Sequence, residues 1–243
     1  MRLGLFGGSF DPVHPGHVSI ALDVLEEGLV DLVLMVPAAC NPFKLEGPHA
    51  SDKDRLAMLR LAVQSHQGIL VDKLELQRGA VSRTIETLEE IEERYRPLES
   101  ISLITGADTA ESIPSWHRGK ELLERCSLIV CTRPGQKQPD LPFPARVLQA
   151  RALDLSSSDI RVRIQEGRPW GHLLDPRVAS HIRENELYGY KSPPWVDCKQ
   201  VNLASIEAIL SPLMSTKRLD HSRGTAEYAR LLAPRFGIDP LKA

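Results

Sequence analysis

An α/β chain, with a doubly wound, mostly parallel sheet and a small all-helical C-terminal appendage, is the fold class the sequence predicts. Three observations point to it. Short apolar, β-rich runs recur through the first 190 residues, amphipathic stretches alternate with them, and the pattern changes at Ser192-Pro193-Pro194-Trp195. Strands that alternate with helices form a parallel sheet covered on both faces.

Arg2–Phe6, Leu32–Val36, Ile69–Asp72, Ile101–Thr105 and Leu128–Thr132 read as buried strands. Between them Gly16–Glu27, Ser51–Gln64, Ile85–Arg94 and Gly119–Arg125 read as helices, the second capped by Ser51 or Asp52 and the third by Ser82 or Thr84. A further strand precedes Ser156, and Asp175–Asn185 forms the last helix of a domain spanning 1–190. In such folds ligands bind beyond the carboxyl ends of the strands, so function belongs after Phe6, Val36, Thr105 and the strand before Ser156. Residues 191–243 carry two more helical patterns, Leu203–Leu213 and Lys217–Phe236, too few to bury a core alone.

Composition narrows the function. The chain has 243 residues, 42% apolar, 26% charged and 5% aromatic, with 30 basic and 32 acidic side chains. A net charge of -2 argues against a basic nucleic-acid binder. No apolar run approaches the ~20 residues that span a bilayer, and the N-terminus turns polar at Ser9 and Asp11 too soon for a signal peptide. Cys40, Cys126, Cys131 and Cys198 show no Cys-x-x-Cys spacing, as expected of reduced thiols in a cytoplasmic protein.

Chemistry concentrates in Gly7-Gly8-Ser9-Phe10-Asp11-Pro12-Val13-His14-Pro15-Gly16-His17, which leaves a strand and enters a helix. Gly7 and Gly8 permit unusual dihedrals and close backbone approach, and Pro15 suits a first helical turn. His14 and His17, three residues apart, can both face one spot above free N–H groups at the positive end of a helix, a place to hold phosphates. Histidine suits it because it donates hydrogen bonds either neutral or protonated near pH 7. A zinc site on these two lacks a third ligand at a familiar spacing, and neither the P-loop nor the Gly-x-Gly-x-x-Gly pattern occurs. In Leu155-Ser156-Ser157-Ser158-Asp159-Ile160-Arg161, hydroxyls and free N–H groups open a second helix, and Arg161 can reach back to an anion there. The plain alternative is a serine cap beside a solvent arginine.

His14-Pro15-Gly16-His17 resembles the His-x-Gly-His signature of a nucleotidyltransferase superfamily, and Ser157-Ser158-x-x-Arg161 resembles its second signature. Within that superfamily the chain is similar to the bacterial nicotinate-nucleotide adenylyltransferases. It matches them through Gly-Gly-Ser-Phe-Asp-Pro-Val-His at 7–14, Asn41-Pro42-Phe43-Lys44, Arg83-Thr84-Ile85-Glu86-Thr87-Leu88 and Gly106-Ala107-Asp108. Pro114-Ser115-Trp116, Arg133-Pro134-Gly135 and Glu186-Leu187-Tyr188 continue the match in family order to about residue 190.

The resemblance implies a Rossmann-like nucleotidyltransferase that transfers adenylyl from ATP to nicotinate mononucleotide, giving deamido-NAD and pyrophosphate. It implies His14, His17, Lys44 and Arg161 as catalytic residues, with His17 on the reacting phosphate. ATP would also meet Gly7, Gly8, Ser9, Phe10, Gly106, Asp108 and Arg133, while Ser157 and Ser158 join Arg161 on the β- and γ-phosphates. Mg²⁺ would be held through substrate phosphates, with no protein metal ligands. Asn41, Lys44, Thr84, Asp108, Trp116 and His117 would address the pyridine nucleotide, Trp116 by stacking on the ring.

The chain departs from the family at Phe43, where a histidine is usual, and at Arg83 and His117, where tyrosines are common. All three changes fall on the pyridine side. The rivals are therefore a transferase that prefers nicotinamide mononucleotide or another acceptor, such as phosphopantetheine, and a catalytically silent nucleotide-binding module. In the tail, Arg218-Leu219-Asp220-His221 and the residues to Asp239 resemble the opening helices of HD-type metal phosphohydrolases, without the His-Asp pair that should follow. No hydrolase activity is expected of it. Association into a homo-oligomer is left open.

Overall fold

The computed structural model describes residues 1–40, 47–79, 81–132, 135, 139–151, 155–192, 211 and 214–233. By its internal contacts the chain divides into two compact units, Met1–Lys191 and Ser192–Ala243.

The first unit is built on six parallel strands in the order β3-β2-β1-β4-β5-β6. They are β1 (Arg2–Gly8), β2 (Leu32–Pro37), β3 (Ile69–Val71), β4 (Ser100–Gly106), β5 (Ser127–Thr132) and β6 (Arg146–Gln149). The order turns back at β1, which pairs with β2 on one side, Leu5 opposite Leu34, and with β4 on the other, Leu5 opposite Leu103. Loops leaving β1 and β4 thus diverge to opposite faces and open a crevice between them. The sheet is the doubly wound, parallel one expected. Its sixth strand is β6, and the periodicity had not located it because only four residues pair.

Alternation along the strands builds two cores. Leu3, Leu5, Leu34, Val36, Leu103, Leu128 and Val130 face one side, and Phe6, Val33, Met35, Ile104, Ile129 and Cys131 the other. Period-2 side chains in a sheet covered on both faces require this. The second face receives α1 (Pro15–Glu26), α2 (Asp52–Val63), α7 (Ser157–Gln165) and α8 (Pro176–Glu184). The first receives α3 (Leu74–Arg78), α4 (Thr84–Arg94), α5 (Ala107–Ala110) and α6 (Gly119–Arg125). On α4, Ile85, Leu88 and Ile91 recur at helical spacing and are fully buried, each worth about 1.5–3 kcal/mol.

Several local expectations are corrected. β1 runs on through Gly7 and Gly8 to pair with Val36 and Pro37. The left-handed residue of the following turn is Phe10, at φ 47°, while neither glycine has positive φ. Gly8 is needed for space, since a Cβ there would sit 3.0 Å from the Phe10 ring. Ser51 caps α2, accepting from the Asp54 amide, but the residue before α4 is Arg83, with no side-chain cap. Ser82 does not cap because its hydroxyl accepts the Ala39 amide at 2.9 Å, tying the segment after β2 to the one before α4. Cys126 ends α6, and Cys131 lies in β5 on the opposite core; burial pushes both thiols up, to about 11 and about 12.

In the second unit α9 (Thr216–Leu232) is described, with Leu219 buried and Tyr228, Leu231 and His221 exposed. The helix expected at Leu203–Leu213 lies almost wholly outside the described residues.

A tight turn leads from the 3₁₀ turn Ile113–Ser115 into α6. Trp116 donates its amide to the Ile113 carbonyl and accepts from the Gly119 amide, with Arg118 left-handed between them. A Cβ on Gly119 would stand 2.1 Å from the Ile113 carbonyl oxygen. Gly119→Ala is expected to lower stability by about 2–3 kcal/mol through this backbone clash, read as a lower urea midpoint. An unchanged midpoint would refute the close approach.

Candidate active site

At the carboxyl end of β1 the chain turns through Ser9–Val13 into α1, and the Asp11 carboxylate and three carbonyls of this turn are held from elsewhere. The Asp11 carboxylate is only 4% exposed. It accepts the amides of His49 and Ala50, at 2.7 and 3.1 Å, and the Tyr188 hydroxyl at 2.8 Å. The Asp11 carbonyl accepts Arg161 Nη1 at 2.6 Å, and the Pro12 carbonyl accepts the Ser157 hydroxyl at 2.9 Å. The Ser9 carbonyl accepts Nη1 of the fully buried Arg55, whose Nη2 also pairs with Asp52. Burial, and then the Asp11 charge, raises the Tyr188 phenol far above its ordinary value, so it stays a donor.

The turn presents His17. The His14 amide donates to His17 Nδ1 at 3.2 Å. With Nδ1 accepting, the ring proton resides on Nε2, which donates whether the imidazole is neutral or charged. The His14 ring lies 3.8 Å from that of His17, and the Phe10 ring meets it edge-on at 5.1 Å. His14 itself is buried and lines neither cavity described below; its place is against His17.

Two cavities open at this end of the sheet. The smaller, about 130 Å³, is lined by Phe10, His17, His49, Ser157, Ser158 and Arg161, among others. Ser157 and Ser158 form the first turn of α7, behind the Ser156 cap that accepts the Asp159 amide. Arg161, one turn on, reaches Ser158 Oγ at 3.2 Å as well as Asp11. Hydroxyls, a guanidinium and imidazoles around free helix N–H groups form an anion cavity.

The larger cleft, about 440 Å³, lies between the ends of β1 and β4, and Ser9 lines both cavities. Gly7 and Gly8 line its floor, and around them stand Thr84 at the start of α4, Asp108 in the first turn of α5, Trp116 and His117. A Cβ on Gly7 would meet nothing within 4 Å, so this glycine leaves the space open. Trp116 is half-buried and donates its indole N–H to Ser112 Oγ at 2.9 Å. Arg83, absent from the expected site residues, also lines the cleft and pairs with Glu86 at 3.1 Å. The buried Glu75 does too, and accepts the Thr87 hydroxyl at 2.6 Å.

The structure therefore brings His17, Ser9, Phe10, Ser157, Ser158 and Arg161 to one cavity, and Gly7, Gly8, Thr84, Asp108, Trp116 and His117 to the other. Gly106 ends β4 on the exposed rim. Asn41, Lys44 and Arg133 lie outside the described residues. Asp11, Arg55, Tyr188 and His49 are not among the residues the sequence pointed to. Asp52 apart, their partners lie 38 to 177 positions away, a separation that leaves no local pattern.

Comparison with known proteins accords with this arrangement. Residues 5–163 match the cytidylyltransferase-like family. A Gemmatimonas aurantiaca protein named "Probable nicotinate-nucleotide adenylyltransferase" is 39% identical over 198 residues, covering 77% of this chain and 92% of its own length. A Thermus thermophilus protein of the same name is 38% identical over 188 residues, covering 77% of this chain and all of itself. Plasmodium falciparum nicotinic acid mononucleotide adenylyltransferase complexed with NaAD shares the fold, with a TM-score of 0.67 at 18% identity over 78% of this chain and 98% of its own. The chain belongs to the cytidylyltransferase-like family, in its nicotinate-nucleotide adenylyltransferase branch.

Proposed function

We propose that this cleft transfers the adenylyl group of ATP to nicotinate mononucleotide, releasing pyrophosphate and forming deamido-NAD. The observation that carries the reading is the meeting of His17 with Ser157, Ser158 and Arg161 around one anion cavity, beside a cleft that holds an aromatic platform. A 5′-phosphate oxygen of the mononucleotide attacks the α-phosphorus. A new P–O bond forms, and the bond from that phosphorus to the oxygen bridging to the β-phosphorus breaks. The chemistry needs positioning and charge neutralisation more than a covalent nucleophile.

His17 Nε2 donates to the α-phosphate as charge builds there, and its ring is held for that task by Phe10 and the His14 amide. His14, packed ring against ring on His17, contacts the ATP phosphates beside it. Ser157, Ser158 and Arg161 hold the departing β- and γ-phosphates, and Lys44 supplies a mobile charge. Mg²⁺, held through the substrate phosphates, would neutralise polyphosphate charge when bound.

On the acceptor side Trp116 stacks on the pyridine ring, Thr84 and the backbone at His117 address the ring substituent with Asn41, and Asp108 accepts from a ribose hydroxyl. Arg83 adds positive potential to the same cleft, which favours an acid over an amide.

The direct test is product formation from ATP and Mg²⁺ with nicotinate or nicotinamide mononucleotide at equal concentration. A strong preference for the acid is expected. Preference for the amide would reassign the acceptor, and no product from either would leave only nucleotide binding. His17→Ala is expected to lower kcat by about 10²–10³-fold, the cost of one donor to the developing charge; an unchanged kcat would remove His17 from the mechanism. Trp116→Ala is expected to raise KM for the mononucleotide by a factor corresponding to ~1–3 kcal/mol of stacking while sparing KM for ATP. The reverse pattern would exchange the two half-sites.

A further inference from the structure

The anion cavity has a second imidazole on its wall. His49 lies just ahead of α2, and its side chain is 42% exposed where it lines the cavity with His17, Ser157, Ser158 and Arg161. Its amide donates to Asp11 Oδ2 at 2.7 Å, and its Nδ1 stands 3.5 Å from the same oxygen. The Nδ1 edge of the ring thus lies beside a buried carboxylate, which leaves Nε2 for the cavity.

We propose that His49 is a phosphate-binding residue of this cavity, donating from Nε2 to the pyrophosphate that leaves. That the anion is pyrophosphate rests on the adenylyl-transfer reading; that the cavity takes a phosphate rests on its lining.

His17 and Arg161 line the same cavity from α1 and α7, so a phosphate there meets donors from three elements of the chain.

The test is titration calorimetry of inorganic pyrophosphate into the full chain, comparing wild type with His49→Ala and His49→Arg. His49→Ala is expected to weaken binding about tenfold, the scale of one charge-assisted hydrogen bond, and His49→Arg, which keeps a donor there, to bind at least as tightly as wild type. Equal affinities of wild type and His49→Ala would overturn the proposal, as would an equal loss in His49→Arg or a wild-type chain that binds no pyrophosphate. A chain that binds pyrophosphate with the expected loss in His49→Ala but forms no dinucleotide would sustain His49 and refute the adenylyl-transfer reading instead.

Discussion

The buried carboxylate of Asp11 is the constraint on which the site depends. A carboxylate out of water must be saturated with donors, and three reach it: two amides from the segment before α2 and one phenol from the end of the first unit. Its own carbonyl takes Arg161 from α7. Pieces of chain far apart in sequence therefore converge on the turn between β1 and α1. Removing the carboxylate would leave its buried donors without an acceptor, which costs more than the bonds themselves contribute.

This arrangement explains how a short turn with a left-handed Phe10 can aim an imidazole. The sheet supplies the place, because its order reverses at β1 and the neighbouring loop from β4 leaves on the other side. Packing supplies the angle: His17 is wedged between the His14 and Phe10 rings, with its tautomer set by a backbone amide. Preorganisation of this kind lets a donor meet developing charge without reorganising at the moment of reaction.

What was legible in the sequence follows from the range of the interactions involved. Alternating apolar runs and helical spacing are local, so five strands and the main helices stood out, and so did the paired histidines and the Ser-Ser-x-x-Arg turn. β6 pairs through only four residues, and α3 and α5 are too short to show a period. Ser82 was misread as a cap because local rules offer its hydroxyl the nearest helix, whereas the fold offers it the Ala39 amide across the cleft wall. Nothing local marks Arg55 for burial: its guanidinium, with no exposure at all, is taken up by Asp52 one turn back and by the Ser9 carbonyl 46 positions away.

The two halves of the site also differ in how much change they tolerate. On the phosphate side each group is bound into the Asp11 network or packed ring on ring, so a substitution there disturbs several partners at once. On the acceptor side Arg83 and His117 are exposed, and they come from separate segments, the start of α4 and the turn before α6. Among the described residues Arg83 pairs with Glu86 of its own helix, in an ion pair open to solvent and worth little to stability. Side chains of that kind can be exchanged without moving the catalytic turn. The departures from the family pattern at Arg83 and His117 fall where the fold exacts the least for them.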